Sequence, residues 1–373
     1  GGNGADTIDG SLGGDTISGG AGADTFVYNG VTDSASLPDS ITDFLSGTDK
    51  LKIALNYSSS TQDLIVTGDV TTGKTSKSAV QDALTGTRGQ ATYNTETSQL
   101  YVNYNNDNLI TSLDYTIGLN AGATALTTVA DADIIWNITT GSGADTVTGN
   151  AGADIISTGA GIDIVFSGRG IDTVDLGASD TADDVYKLST QELYSSATTA
   201  TSGSVAVDVV SEFEYGASKD QVEISITAIE ALGGVEDLIN VEGTSLTAGA
   251  TDIYTDGGAA IYTLGAAVTT VLGITCDDAT LTEAVVEATL IAGGTNALTY
   301  DGNAYADGDA LLLLVDSSAE ASVGTVLALV VFLKATTGGA AAASGDIDVI
   351  FLANIGTADA TGSANSNNFD LIA

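Results

Sequence analysis

A nine-residue pattern recurs in fixed phase, and it leaves the chain few ways to fold. Three units run without a gap: GGNGADTID (1–9), GSLGGDTIS (10–18) and GGAGADTFV (19–27). Four more follow later: TGSGADTVT (140–148), GNAGADIIS (149–157), TGAGIDIVF (158–166) and SGRGIDTVD (167–175). The fourth position is always glycine: Gly4, Gly13, Gly22, Gly143, Gly152, Gly161 and Gly170. The sixth is always aspartate: Asp6, Asp15, Asp24, Asp145, Asp154, Asp163 and Asp172. The eighth is always apolar, from Ile8 to Val174. Glycine is only 46 of 373 residues, so its invariance at one phase is not compositional.

The pattern dictates a coil. Glycine allows the positive φ and close backbone approach that a tight turn needs every nine residues. The last three positions form a short strand with one inward side chain. Two nonapeptides then complete a turn of 18 residues, with strands stacked ~4.8 Å apart on either face. Aspartates 18 apart come to lie one above another: Asp6 over Asp24, Asp145 over Asp163, Asp154 over Asp172. Such columns of carboxylates repel themselves unless cations lie between them. Carboxylates and free carbonyls are what a hard divalent ion takes as ligands, and Ca2+ suits a flexible oxygen cage better than magnesium.

Charge leads the same way. Forty-nine acidic residues against nine basic ones give a net −40, which repels nucleic-acid backbones and anionic lipid surfaces. Yet 43% of the residues are hydrophobic, too many for a disordered acidic tail. Histidine is absent, which removes Ser-His and Cys-His catalysis and histidine-ligated zinc. Cys276 is the single cysteine, so no intrachain disulfide forms. No phosphate-binding glycine loop is found and no carboxylate pair stands out, so no active site is expected and the chain is read as a non-enzyme. The longest apolar run, 323–333, is 11 residues and reads as a buried strand, well short of the ~20 that span a bilayer. No cleavable N-terminal signal peptide appears in the sequence, and the opening inside a repeat suggests a fragment of something longer.

These units resemble the RTX nonapeptide G-G-x-G-x-D-x-U-x, where U is apolar. The resemblance implies a parallel β-roll with calcium between successive turns. Its ligands would be the seven repeat aspartates and carbonyls of the glycine-rich positions: Gly2, Gly20, Gly141, Gly159 and Gly168 at position two, with the seven fourth-position glycines. Ser11 and Asn150 depart from glycine at position two, and Arg169 is a basic intruder expected to weaken the last turn.

Each array runs into a segment similar to the capping sequence downstream of RTX rolls in secreted proteases. After the first array its marks are Phe26, Asp39, Asp43-Phe44 and Gly47-Thr48-Asp49-Lys50-Leu51; after the second, Glu212-Phe213 and Asp220. By that analogy Asp39, Asp43 and Asp49 hold a further calcium at the roll's end; surface turns are the alternative, and both stay open at this point. Helices are expected at 78–84 and 282–290, each followed by a tyrosine-bearing hairpin, at 91–107 and 297–315. Asp183-Asp184 and Asp277-Asp278 read as solvated turns. Asp131 and Asp133 read as part of a degenerate repeat, and Trp136 as a plug over the open apolar end of the second roll.

The chain is therefore expected to be mainly all-β. The expected parts are a first roll (1–28), a first cap (29–120), a second roll (121–176) and a larger second cap (177–373). The final Phe369-Asp370-Leu371-Ile372-Ala373 is similar to uncleaved signals of type I secretion, implying that residue 373 is the natural C-terminus. By resemblance, the functional expectation is a secreted, calcium-dependent protein of a bacterial surface layer or filament. It would self-associate at the cell surface, with the type I machinery and a surface component as partners. The alternative is the secretion and folding module of a larger enzyme, toxin or adhesin.

Overall fold

The computed structural model describes residues 1–34, 37–62, 64–74, 87–105, 107, 109–122, 126–177, 182–188, 207–214, 220–225, 237–238, 254–255, 260–264, 269–276, 283–291, 298–299, 304–305, 309–317, 325–333, 336–337, 343, 345–355 and 369–372. The structure is mostly β, with one α-helix among these residues, as the repeats predict. It divides into two compact units, Gly1–Asp172 and Thr173–Ala373.

The first unit has fifteen strands among its described residues. In chain order they are β1 (Gly2–Asn3), β2 (Thr7–Asp9), β3 (Thr16–Ile17), β4 (Gly20–Ala21), β5 (Thr25–Tyr28), β6 (Asp39–Ile41), β7 (Lys50–Asn56) and β8 (Ile65–Lys74). They continue with β9 (Arg88–Asn94), β10 (Gln99–Val102), β11 (Tyr115–Leu119), β12 (Ile134–Thr139), β13 (Thr146–Thr148), β14 (Ile155–Ser157) and β15 (Ile164–Phe166). One sheet runs β2-β5-β7-β12-β14, parallel throughout. The facing sheet runs β3-β6-β11-β10-β9-β8-β13-β15, parallel except across the β9–β10–β11 meander. Repeat strands 18 residues apart pair in register, Thr7↔Thr25 in the first sheet and Thr146↔Ile164 in the second.

The cap is thus inserted into the roll. Strands β7 and β8 lie directly beneath β12 and β13, so residues 29–120 bridge the two arrays. The eighth-position side chains fill the space between the sheets: Phe26, Val147 and Val165 are fully buried, Ile156 nearly so, and Ile17 is 7% exposed. Leu51, Ile53, Leu55, Ile134 and Ile138 continue that core through the bridging strands. The hairpin expected at 91–107 is present as β9 and β10.

Trp136 is not an end plug. It is fully buried in β12, level with Ile53 of β7. Its indole lies against Gly68, where a β-carbon would come within 2.4 Å of the ring.

The second unit contains β16 (Thr173–Asp175), β17 (Val185–Leu188), β18 (Asp208–Ser211), β19 (Gln221–Ser225), β20 (Asp237–Leu238), β21 (Tyr254–Thr255), β22 (Ala260–Leu264) and β23 (Thr269–Cys276). Helix α1 (Glu283–Leu290) follows, then β24 (Leu298–Thr299), β25 (Ala304–Tyr305), β26 (Asp309–Ser317), β27 (Thr325–Phe332), β28 (Thr336–Thr337), β29 (Ile347–Ile355) and β30 (Phe369–Ile372). One sheet runs β16-β18-β29-β27-β26-β23-β22 and the other β17-β19-β30. The helix at 283–290 matches expectation and buries Val286 and Leu290.

Among the described residues of 297–315 the expected hairpin is not formed: β24 pairs with β21, β25 with β28, and β26 with β27 and β23. The terminal β30 is a parallel strand on β19. Asp184 is no solvated turn: it is 3% exposed, and its amide donates to Asp220 Oδ1 at 3.0 Å. The helix expected at 78–84, the pair Asp277-Asp278 and the polar run 363–368 lie outside the described residues.

Candidate metal centre

The turns of the roll are where the repeat places its aspartates, and the backbone explains their spacing. Gly20 and Gly22 have φ of +101° and +142°, and a β-carbon on either would meet the carbonyl of Gly2 or Gly4 at 2.1 or 2.0 Å. The second array repeats this, with Gly159, Gly161, Gly168 and Gly170 pressed on Gly141, Gly143, Asn150 and Gly152. Successive turns therefore touch backbone to backbone, and only glycine admits that approach. Gly13 shares the positive φ, at +132°.

Each aspartate binds the coil before it. The amide of Asp6 donates to Asp24 Oδ1 at 2.9 Å, that of Asp145 to Asp163 Oδ1 at 2.7 Å, and that of Asp154 to Asp172 Oδ1 at 2.7 Å. These are the three stacked pairs that the 18-residue period requires.

The cap aspartates extend the same columns. Asp15 N donates to Asp39 Oδ1 at 2.8 Å and Asp24 N to Asp49 Oδ1 at 3.0 Å, across 24 and 25 residues instead of 18. Asp39 and Asp49 are 1% and 3% exposed, so neither is a surface turn. Asp43 receives Ser18 Oγ at 2.6 Å and the amides of Gly19 and Gly20 at 2.9 Å each. Burial pushes its carboxyl up, but those three donors and the N-terminal charge outweigh it and hold Asp43 below the ordinary value. Burial raises Asp39 instead; the Asp15 amide pulls it back, and the charges of Asp15 and Asp33 add to the rise.

Three residues take places in the turns that the sequence reading does not give them. Trp136 occupies the sixth position of a degenerate unit at 131–139, its amide donating to Asp154 Oδ1 at 2.8 Å as an aspartate's would. Leu64 does likewise toward Asp145 Oδ1 at 2.7 Å. Asp133 is fully buried, bound by Ser46 Oγ, Gly47 N and Ala130 N, with Lys50 Nζ 3.8 Å away and itself donating to Ala132 O at 2.7 Å. At that joint a lysine ammonium supplies local positive charge. A phase count from neighbouring repeats would have flagged Trp136; nothing in the sequence marks Leu64. Arg169 is exposed, and its amide keeps the turn bond to Asn150 O at 2.6 Å, so it does not disrupt the backbone.

The donor set fits a hard cation. Buried carboxylate oxygens Oδ2 of Asp15, Asp39 and Asp145 have no hydrogen-bond partner, a costly arrangement unless an ion fills the space. Asp39 Oδ2 and Asp15 Oδ2 both lie near Gly10, 3.2 and 3.4 Å from the place of an added β-carbon, with Ile17 Cδ1 at 2.9 Å closing the inner side. Among the described residues no three acidic side chains converge, so backbone carbonyls of the glycine turns must complete any coordination shell. Tyrosines serve packing here: Tyr57 OH donates to Tyr104 O at 2.9 Å, and Arg88 lies 5.4 Å over the Tyr57 ring.

Fold and turns together define a calcium-binding β-roll. Residues 139–174 match the RTX calcium-binding nonapeptide repeat, and residues 1–120 match the Peptidase M10 serralysin C terminal family. RTX nonapeptide repeats bind calcium, and the two matches support an RTX protein. No curated protein matches the chain. No helix among the described residues is long and apolar enough to cross a membrane.

Proposed function

We propose that this is a non-enzymatic, calcium-dependent structural protein of an extracellular surface array. In this reading it is exported unfolded by a type I system and folds and assembles outside the cell. The observation that carries the calcium dependence is that Asp15, Asp39 and Asp145, in the stacked turns, each keep a buried Oδ2 that accepts no hydrogen bond. The repeat aspartates, with Asp39, Asp43 and Asp49, are the proposed ligand set, completed by carbonyls of the turn glycines. In calcium-poor cytosol a net −40 opposes compaction; outside, binding free energy becomes folding free energy. Bound ions would also bridge acidic neighbours into a lattice or filament.

A second reading is supported by the match of residues 1–120 to the serralysin C terminal: a secretion and folding module of a larger secreted enzyme, toxin or adhesin. Circular dichroism with and without chelator tests the shared premise, and β-structure that persists in chelator at low salt would refute it. Electron microscopy in calcium separates the two readings. Ordered sheets or filaments favour the array, and monodisperse monomers favour the module.

A further inference from the structure

The roll has two columns of turns, and three rungs on one side hold their carboxylates differently from three on the other. The turns that lead into the β2-β5-β7-β12-β14 sheet carry Asp6, Asp49 and Asp154 among others. In these three rungs the second carboxylate oxygen is already taken by the amide four residues earlier: Gly2 N to Asp6 at 2.7 Å, Leu45 N to Asp49 at 2.8 Å, Asn150 N to Asp154 at 2.8 Å. Asp49 and Asp154 also accept the preceding coil's amide on Oδ1, so both their oxygens are engaged by the protein itself.

The turns on the opposite side carry Asp15, Asp39 and Asp145. Asp39 and Asp145 accept a neighbouring coil's amide on Oδ1, and all three keep a buried Oδ2 that accepts no hydrogen bond, with the Tyr28 hydroxyl the one uncharged polar side-chain group acting on Asp39. The sequence supplies one reason. Ser11 stands four residues before Asp15, in a left-handed conformation at φ +62°, and its amide is committed to Asp9 Oδ1 at 2.7 Å. Asp39 and Asp145 are each 1% exposed, so bulk solvent does not reach these oxygens.

From this asymmetry we infer that calcium loads these six rungs in order, the Asp15–Asp39 and Asp145 turns first and the Asp6, Asp49 and Asp154 turns second. The inference rests on calcium occupying the turns at all. An ion in the first-loaded column repays a standing desolvation penalty, whereas one on the other side must first displace a charge-assisted amide bond. One such bond is enough to separate the two affinities by at least about tenfold.

Calorimetric titration of the chelator-stripped whole chain with CaCl2 tests the order. Two phases at least about tenfold apart are expected, with Asp39→Asn and Asp145→Asn diminishing the tight phase and Asp6→Asn and Asp154→Asn the weak one. Loss of the tight phase in Asp6→Asn and Asp154→Asn would overturn the order while leaving calcium binding intact. A chain that binds no calcium at all would instead sink the underlying reading. Hydrogen exchange of the unmodified protein at substoichiometric calcium decides the matter without any variant. Protection should reach 10–18 and 140–148 before 1–9 and 149–157, and the reverse sequence, or simultaneous protection, refutes the proposal.

Discussion

Replacing Gly161 by alanine isolates the energy of coil stacking. The residue has φ +131°, and a β-carbon there would stand 2.0 Å from Gly143 O. Because real β-carbons do not approach closer than 3.0 Å, the coils must part by about 1 Å, the difference between those distances. Around that point Ala160 N meets Gly141 O at 2.9 Å, Ile164 N meets Asp145 O at 2.8 Å, and Asp145 N meets Asp163 Oδ1 at 2.7 Å.

Left-handed strain contributes about 1–3 kcal/mol. Weakening one or two of those hydrogen bonds adds about 0.5–1.5 kcal/mol each. The control is Gly4→Ala: the same repeat position, φ +117°, but with nothing within 4 Å of the added carbon. It should lose only the strain, about 1–3 kcal/mol. Denaturant unfolding in saturating calcium, at constant m, measures both. Gly161→Ala should be worse than Gly4→Ala by about 0.5–3 kcal/mol, the hydrogen-bond share. Equal losses would mean that the coils are not in backbone contact, and the stacked-turn account would fail with them.

Other expectations follow from single environments. Trp136 is the only tryptophan and fully buried, so its emission should be blue-shifted in calcium and move to the red on chelation; constant emission would contradict its place in the roll. Ile138→Ala, at a fully buried site, should cost about 2–5 kcal/mol, whereas Ile162→Ala, 58% exposed, should stay within about 0.5 kcal/mol. Glu283 is raised above the ordinary carboxylate value chiefly by burial, with Asp348 adding and the Phe351 amide opposing. A raised folded value contributes stability that is present below the unfolded pKa of about 4.3 and lost as pH rises through the folded one. Glu283→Gln should therefore flatten the fall of the unfolding midpoint just above that range, and parallel curves for variant and parent would count against it.

The first cap shows where counting residues stops working. Asp39 and Asp49 were suspected only by resemblance, because 24 and 25 residues separate them from the aspartates they join. Asp184 was misread as a solvated turn because its partner, Asp220, is 36 residues away. The hairpin expected at 297–315 failed for a related reason: alternation marks a segment as strand but does not choose its neighbour. The hairpin at 91–107 was legible because its two strands are joined by a short turn.

What the amino-acid order determined by itself was local and periodic. Glycine and aspartate at fixed phase set the turns, the strand triplets, the inward eighth side chain and the calcium-seeking chemistry. All of these repeat at a constant interval along the chain. Only the tertiary structure decided that the two arrays share one pair of sheets through β7 and β8, that Trp136 and Leu64 stand in for aspartates, and that Asp39 and Asp145 hold their carboxylates differently from Asp49 and Asp154. Parallel stacking depends on a fixed distance between backbones in space, so a long insertion can leave one coil and enter the next without changing the register of either.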